Sequence, residues 1–186
     1  RSRKPFLVAL PRPGEAGNFA ASAVGIARPF RALSANGSTS GAGSLMNILY
    51  IGFDIEGVGG IATYSRHQVR ALRDLGHRLF VVSLNKQDVI IERGYADRHI
   101  AFGTKYRAGL NFLRVLRERS GSFDAVVINH VYLAPFGWLA RLMTGAPYVV
   151  NVYNIDILTR LTGPPEFAFG RADLVLPDWP YTIDRL

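Results

Sequence analysis

The sequence predicts an α/β domain in which a parallel β-sheet carries helices on both faces. Short apolar runs of strand length alternate with segments of helical periodicity along most of the chain. Polar residues rarely interrupt these runs, which is typical of strands buried on both faces. The alternation of strands and helices implies right-handed crossovers between parallel strands. A length of 186 residues is enough for one such domain with a core of its own.

The first strand is predicted at residues 47–53 (NILYIGF) and the first helix at residues 61–75. The helix is predicted because residues suited to burial recur on one face, at Ile61, Tyr64, Gln68, Ala71, Leu72 and Leu75. Gly76 is expected to end this helix. The second strand is predicted at residues 78–84 (RLFVVSL), and a weaker third strand at residues 99–102.

The second half of the chain continues the same alternation. The predicted elements are a basic helix at residues 105–119, a strand at 125–129, a helix at 133–143 opened by Pro135, a strand at 147–153 and a short strand at 172–177. Ligands of such sheets bind at the carboxyl ends of the strands, near the point where the strand order reverses. A site is therefore expected in the loops that follow Phe53, Leu84, Asn129 and Tyr153.

Residues 1–45 are predicted to be a disordered basic leader rich in Ala, Ser, Gly and Pro. They hold six Lys or Arg side chains and one Glu, so this segment contributes five of the eight net positive charges. The domain at residues 46–186 is much closer to neutral. The high net charge therefore does not indicate a nucleic-acid partner.

Composition excludes several kinds of chemistry. The chain has no cysteine, which rules out disulfides, thiolate zinc sites and cysteine nucleophiles. No metal-ligand spacing links the four histidines, so no metal is expected. No run of about 18 apolar residues could span a membrane. A cytoplasmic location fits these features.

A glycine-rich loop joins the first strand to the first helix. It reads DIEGVGG over residues 54–60 and opens directly into the helix. Gly59 and Gly60 would let the backbone approach a ligand closely, and the free N–H groups of the first helical turn attract anions. The pair is therefore a candidate diphosphate site. A strand-to-helix turn that needs glycine only for tight packing is the alternative.

A nicotinamide-dependent oxidoreductase is a less favoured interpretation of the same loop. Ala62 in the third glycine position of a dinucleotide fingerprint would be tolerated. The second strand, however, ends in Ser83, Leu84 and Asn85, where a carboxylate should bind the ribose hydroxyls. This absence argues against NAD.

Residues 46–84 resemble the opening of the family 4 retaining glycosyltransferases, which have the GT-B fold of two facing Rossmann-like domains. The matching features are the first strand, the Gly59–Gly60 pair at the start of a helix, the Leu-Gly-His turn at residues 75–77 and an apolar second strand. Residues 123–130, 147–153 and 172–175 are similar to later strands of the same half. The resemblance thus extends over residues 46–186.

The resemblance implies the acceptor-side, N-terminal half of such an enzyme, with a role in polysaccharide biosynthesis. A nucleotide-sugar would be its co-substrate, without a further cofactor, and Gly59 and Gly60 would lie against the donor diphosphate. A separate C-terminal donor domain would be needed for transfer to a glycan or lipid-linked acceptor. An isolated, non-catalytic binding or partner subunit is the alternative.

The resemblance also suggests residues for the acceptor and for catalysis. Where the family usually has a histidine near the reacting sugar carbon, this chain has Tyr153, followed by Asn154 and Asp156. His130, at the end of a predicted strand where this fold places ligand-binding loops, is a candidate for binding the acceptor together with Tyr153 and Asn154. Tyr153 and Asp156 are the catalytic candidates. A structural role for His130 and a surface-loop position for Asp156 are the alternatives. The basic helix at residues 105–119 suggests peripheral contact with the inner face of a membrane; a core-facing helix with a solvated basic side is the alternative.

Overall fold

A parallel β-sheet forms the centre of the protein in the computed structural model, which describes residues 6–7, 45–85, 94–101, 105–119, 123–153 and 161–177. Its strands are β1 (Phe6–Leu7), β2 (Asn47–Phe53), β3 (Arg78–Asn85), β4 (Arg98–Ala101), β5 (Ala125–Ile128), β6 (Tyr148–Val152) and β7 (Leu174–Pro177). The spatial order is β1-β7-β6-β5-β2-β3-β4, and every pair is parallel. Without β1, this is the strand order of a Rossmann fold.

Helices cover both faces of the sheet. They are α1 (Gly60–Asp74), α2 (Lys105–Glu118), α3 (Ala134–Thr144) and α4 (Pro164–Phe169), and a 3-10 turn at Val131–Leu133 precedes α3. Helix α1 packs on β2 and β3, while α2, α3 and α4 pack together with the opposite face. The strands between the two layers are almost completely buried, as in β5, where all four residues are inaccessible. The predicted α/β fold is therefore confirmed.

The bounds of the elements differ from the predictions by one or two residues in most cases. Helix α4 was not predicted at all. The buried side of α1 matches the predicted one in part. Gln68 and Leu72 are buried as predicted, but Ala62, Ser65 and Val69 are buried as well, and Leu75 is 44 % exposed. Ser65 is a polar residue at a buried position, which an apolar pattern does not identify.

Two positions, one in a turn and one inside a helix, require glycine. Gly76 follows α1 with φ of 85°, a conformation that a side chain would strain. Gly137 lies where α3 crosses the sheet, and a Cβ atom there would come within 2.8 Å of Ile128. The predicted leader lies largely outside the described residues. Its described residues are Phe6, Leu7 and Leu45, and Phe6–Leu7 pairs in parallel with Leu174 and Val175.

Candidate functional site

The candidate site lies at the carboxyl ends of the neighbouring strands β2 and β5, where the strand order reverses. Asn129, fully buried just after β5, ties this point together. Its amide oxygen accepts a hydrogen bond from the Phe53 N–H at 3.2 Å, and its amide nitrogen donates to Ser65 Oγ at 2.6 Å. Asn129 therefore joins the ends of both strands to α1. Sequence reasoning gave it no role, although a polar residue directly after the apolar run AVVI is a usable signal.

The glycine pair stands at the N-terminus of α1, as the sequence predicts. Gly59 has φ of 137°, a conformation that favours glycine, and it precedes the first helical residue, Gly60. A Cβ atom added to either would meet no other atom within 4 Å. At Gly57, in contrast, it would overlap the Asp54 side chain. Packing therefore explains Gly57 but not Gly60, which faces open space.

The start of α1 has the electrostatic character of an anion site. Among the described residues, no acidic side chain lies in its first turn, and its N-cap residue Gly59 has no side chain with which to cap it. The N–H groups of a first helical turn have no acceptor within the helix, and together with the positive end of the helix dipole they favour a negatively charged group there. Parallel strands place this end of the helix at the same edge of the sheet as Asn129.

Hydrogen bonds hold the loop before the glycine pair in one conformation. The Asp54 N–H donates to the Leu84 carbonyl at 3.0 Å, and the Ile55 N–H donates to Ser83 Oγ at 3.0 Å. Ile55 is fully buried. The loop is therefore anchored on the end of β3 as well as on β2.

Aromatic rings gather around His130, which lies just after β5 and is 8 % exposed. The ring centroids of Phe53 and Tyr132 each lie 5.5 Å from that of His130, and the centroid of Tyr153 lies 6.1 Å away. Tyr153 in turn contacts Tyr64 of α1, edge to face, at 5.5 Å. The structure thus brings the predicted residues His130 and Tyr153 together, close to the first turns of α1.

The hydrogen bonding of His130 sets which ring nitrogen carries its proton. Its Nδ1 accepts a hydrogen bond from the Tyr132 N–H at 3.3 Å and so caps the 3-10 turn. In the neutral ring the proton is then on Nε2. Tyr153 is buried with its hydroxyl beneath the surface. The candidates Asn154 and Asp156 lie outside the described residues.

The other sequence-predicted features have clear places. Asn85, at the end of β3, is buried and bonds to Ser83 Oγ at 2.6 Å and to His99 Nδ1 at 3.2 Å. An amide therefore occupies the position that a ribose-binding carboxylate would take in a dinucleotide fold. His77 lies in the turn after α1, and His67 lies on the exposed side of α1.

Helix α2 is packed against the core along one side. Ala108, Phe112 and Leu116 are fully buried, while Arg114 and Arg117 are exposed. Leu110 is 66 % exposed among these polar residues. In the parts of the chain that the structure describes, no helix is long and apolar enough to cross a membrane.

The family is decided by a match over most of the domain. The sequence model of the glycosyl transferase 4-like domain matches residues 59–177. The chain belongs to this family. The match begins at Gly59, at the glycine pair, and ends at the last residue of β7. A glycosyl transferase 4-like domain has a glycosyltransferase-type function in general. Comparison with curated proteins gave no match.

Proposed function

We propose that this chain is the acceptor-side, N-terminal half of a retaining glycosyltransferase of the GT-B fold. Joined to a C-terminal donor domain, it transfers a sugar from a nucleotide-sugar to a glycan or lipid-linked acceptor, and alone it is inactive. The observation that carries the proposal is Gly60, which starts α1 with open space in front of it at the point where the strand order reverses.

The donor diphosphate is proposed to lie against Gly59 and Gly60. Both glycines leave room for phosphate oxygens, because a Cβ atom at either position would meet nothing within 4 Å. The first-turn N–H groups of α1 would donate to these oxygens, and the helix dipole would favour their charge. The donor sugar and base would be held mainly by the second domain.

The acceptor is proposed to bind around His130, Tyr153 and Asn154. The imidazole of His130 is proposed to face an acceptor hydroxyl, with the rings of Phe53 and Tyr132 packed beside it. Tyr153 and Asp156 are the catalytic candidates. A tyrosine hydroxyl can stabilise a sugar or phosphate oxygen by donating a hydrogen bond, but it has no acid–base role near neutral pH.

Replacing Gly60 by valine tests the diphosphate site. The side chain would occupy the space proposed for the phosphate oxygens while meeting no protein atom near its Cβ position. We expect kcat/KM for the nucleotide-sugar to fall by about tenfold or more, with the unfolding temperature almost unchanged. The measurement is steady-state kinetics of this chain joined to its donor domain.

Gly76→Ala is the matched control, because it lies at the other end of the same helix. Its φ of 85° makes alanine strained there, which should cost about 1 kcal/mol of stability. Kinetics at a temperature where this variant is folded should match the unsubstituted enzyme. If Gly60→Val folds normally and transfers sugar at the original rate, the glycine pair is only a turn.

A further inference from the structure

Arg66 of α1 contacts the backbone of the glycine loop at two places. Its guanidinium nitrogen Nη1 donates to the Ile55 carbonyl at 2.7 Å and to the Gly57 carbonyl at 2.8 Å. Its other terminal nitrogen, Nη2, donates to Thr63 Oγ1 at 2.9 Å, which holds the side chain along the helix. The planar guanidinium thus binds two carbonyl groups of the loop from one fixed position.

These two contacts also orient backbone N–H groups. In a trans peptide the carbonyl and the following N–H point in opposite directions, and no cis peptide occurs in the described residues. Holding the Gly57 carbonyl toward Arg66 therefore turns the Val58 N–H away from Arg66. Val58 is 90 % exposed and directly precedes Gly59, so little of this residue is covered by the rest of the described protein.

Glu56 also anchors the loop. It is only 2 % exposed, and its Oε1 accepts hydrogen bonds from the Tyr95 N–H at 2.8 Å and the Ala96 N–H at 2.9 Å. The Gly57 N–H donates to the Asp54 carbonyl at 2.7 Å and closes the turn between these anchors. The peptide between Gly57 and Val58 has its carbonyl bonded to Arg66 and no contact with the Glu56 side chain among those described above, so Arg66 sets its direction.

We propose that Arg66 is a positioning residue for the diphosphate: it directs the Val58 N–H, and with it the following N–H groups of Gly59 and Gly60, toward the phosphate oxygens. This inference rests on the proposed function. Arg66 acts through the backbone and does not itself contact the ligand, since its guanidinium is engaged by the loop carbonyls.

Charge and geometry can be separated by substitution. Lysine keeps the positive charge but has a single ammonium group, which cannot reproduce the planar arrangement of donors that arginine offers to Ile55, Gly57 and Thr63. If the positions of the guanidinium donors orient the N–H groups of the loop, Arg66→Lys should weaken ligand binding as much as Arg66→Gln does. If only the positive charge matters, Arg66→Lys should behave like the unsubstituted chain.

The test is a titration of the full 186-residue chain with inorganic pyrophosphate, followed by amide proton–nitrogen NMR spectra. In the unsubstituted chain, pyrophosphate should shift the amide signals of residues 58–61. Arg66→Lys and Arg66→Gln should each weaken this binding by about tenfold. Arg70→Gln is the matched control, because it removes one positive charge from the next turn of α1, where Arg70 bonds to the Tyr95 hydroxyl. It should bind pyrophosphate within about twofold of the original.

The outcomes distinguish the inference from the proposed function. If Arg66→Gln is folded and binds pyrophosphate as tightly as the unsubstituted chain, or if Arg66→Lys does, the positioning role is wrong and the diphosphate site stands. If the unsubstituted chain shows no shift at residues 58–61, the diphosphate site fails and the role of Arg66 fails with it. Unfolding temperatures recorded on the same samples show that each variant is folded.

Discussion

Gly57 and Gly60 lie three positions apart in one loop, and each lacks a side chain for a different reason. Gly57 is a packing position, because a Cβ atom there would lie 2.9 Å from the Asp54 carbonyl oxygen. Gly60 has open space instead, and its backbone does not demand glycine. The sequence pattern could locate the pair Gly59 and Gly60, but it could not separate packing from approach to a ligand. That distinction depends on atoms elsewhere in the fold.

The hydrogen-bond partners of two other residues of the site, Glu56 and Asn129, were not predictable from the sequence. Glu56 bonds to Tyr95 and Ala96, which lie about forty positions further along the chain, and Asn129 bonds to Phe53 across the sheet. Such pairings follow from the order of strands, which no local pattern specifies. His130 was predictable because a histidine at the carboxyl end of a parallel strand is at the edge where ligands bind.

His77 provides a residue-scale prediction about pH. Partial burial lowers its pKa from the ordinary value of 6.5. Its Nδ1 accepts a hydrogen bond from the Met46 N–H at 3.3 Å, which requires that nitrogen to be unprotonated. The unfolded chain therefore binds this proton more readily than the folded one. We expect the free energy of unfolding to decrease as pH falls below about 6.5, because the contribution of neutral His77 is lost. Urea unfolding between about pH 5 and 7.5 measures this decrease.

His77→Asn is the comparison for this effect. Its amide oxygen can still accept a hydrogen bond, but the side chain does not titrate in this range. The decline in stability below about pH 6.5 should be smaller in this variant. Identical pH profiles for the two proteins would show that another group is responsible.

At the scale of elements, periodicity predicted where helices lie better than which side they bury. In α1 the predicted face included Gln68, which is buried, but also Leu75, which is exposed, and it missed the buried Ser65. Ser65 is buried because Asn129, just after β5, offers it a hydrogen-bond partner. Helix α4 has only six residues and begins with two prolines, so it contains too few turns for a period to be recognised.

Asp173 gives a prediction for the connection between α3 and β7. Its two carboxylate oxygens accept hydrogen bonds from Arg141 Nη1 at 2.6 and 2.7 Å, and Oδ2 also accepts the Tyr148 N–H at 3.0 Å. Asp173→Asn removes the ion pair with Arg141 and should lower the free energy of unfolding by about 1 to 2 kcal/mol. Urea unfolding measures this change.

Glu118→Gln is the control, because Glu118 pairs with Arg114 and Arg98 at the exposed surface at 3.4 and 3.9 Å. Solvent screens such pairs, so its loss should cost about 0.5 kcal/mol or less. Equal losses of unfolding free energy in the two variants would mean that the ion pair between Arg141 and Asp173 stabilises the fold no more than an exposed ion pair does.

At the scale of the whole molecule, the fold class followed from the sequence because buried parallel strands leave a strong signal. Short apolar runs such as AVVI and YVV are typical of parallel strands that are buried on both faces. The family follows from the same regions, since residues 59–177 match a glycosyl transferase 4-like domain. The sequence pattern does not reveal how α1 is fixed on the sheet, because that depends on polar side chains from three different elements.

A buried amide at Gln68 makes this connection. Its Oε1 accepts hydrogen bonds from the Tyr50 hydroxyl on β2 at 2.8 Å and from the Asn151 amide on β6 at 2.9 Å. Burial raises the pKa of Tyr50 well above its ordinary value, so its hydroxyl remains a donor. Gln68→Met would leave both donors without an acceptor, and should reduce the free energy of unfolding by about 2 to 4 kcal/mol, measured by urea unfolding. A loss under about 0.5 kcal/mol would contradict this role.

The position of Gln68 has a consequence for how the protein can vary. A helix that rests on a sheet through apolar side chains alone can slide or turn slightly at little energetic cost, whereas two hydrogen bonds to one oxygen from separate strands allow a single register. The direction in which the start of α1 points is therefore set two turns further along the helix, at a buried residue. Substitutions among Tyr50, Gln68 and Asn151 could thus alter the rate of sugar transfer while every residue facing the substrate stays the same.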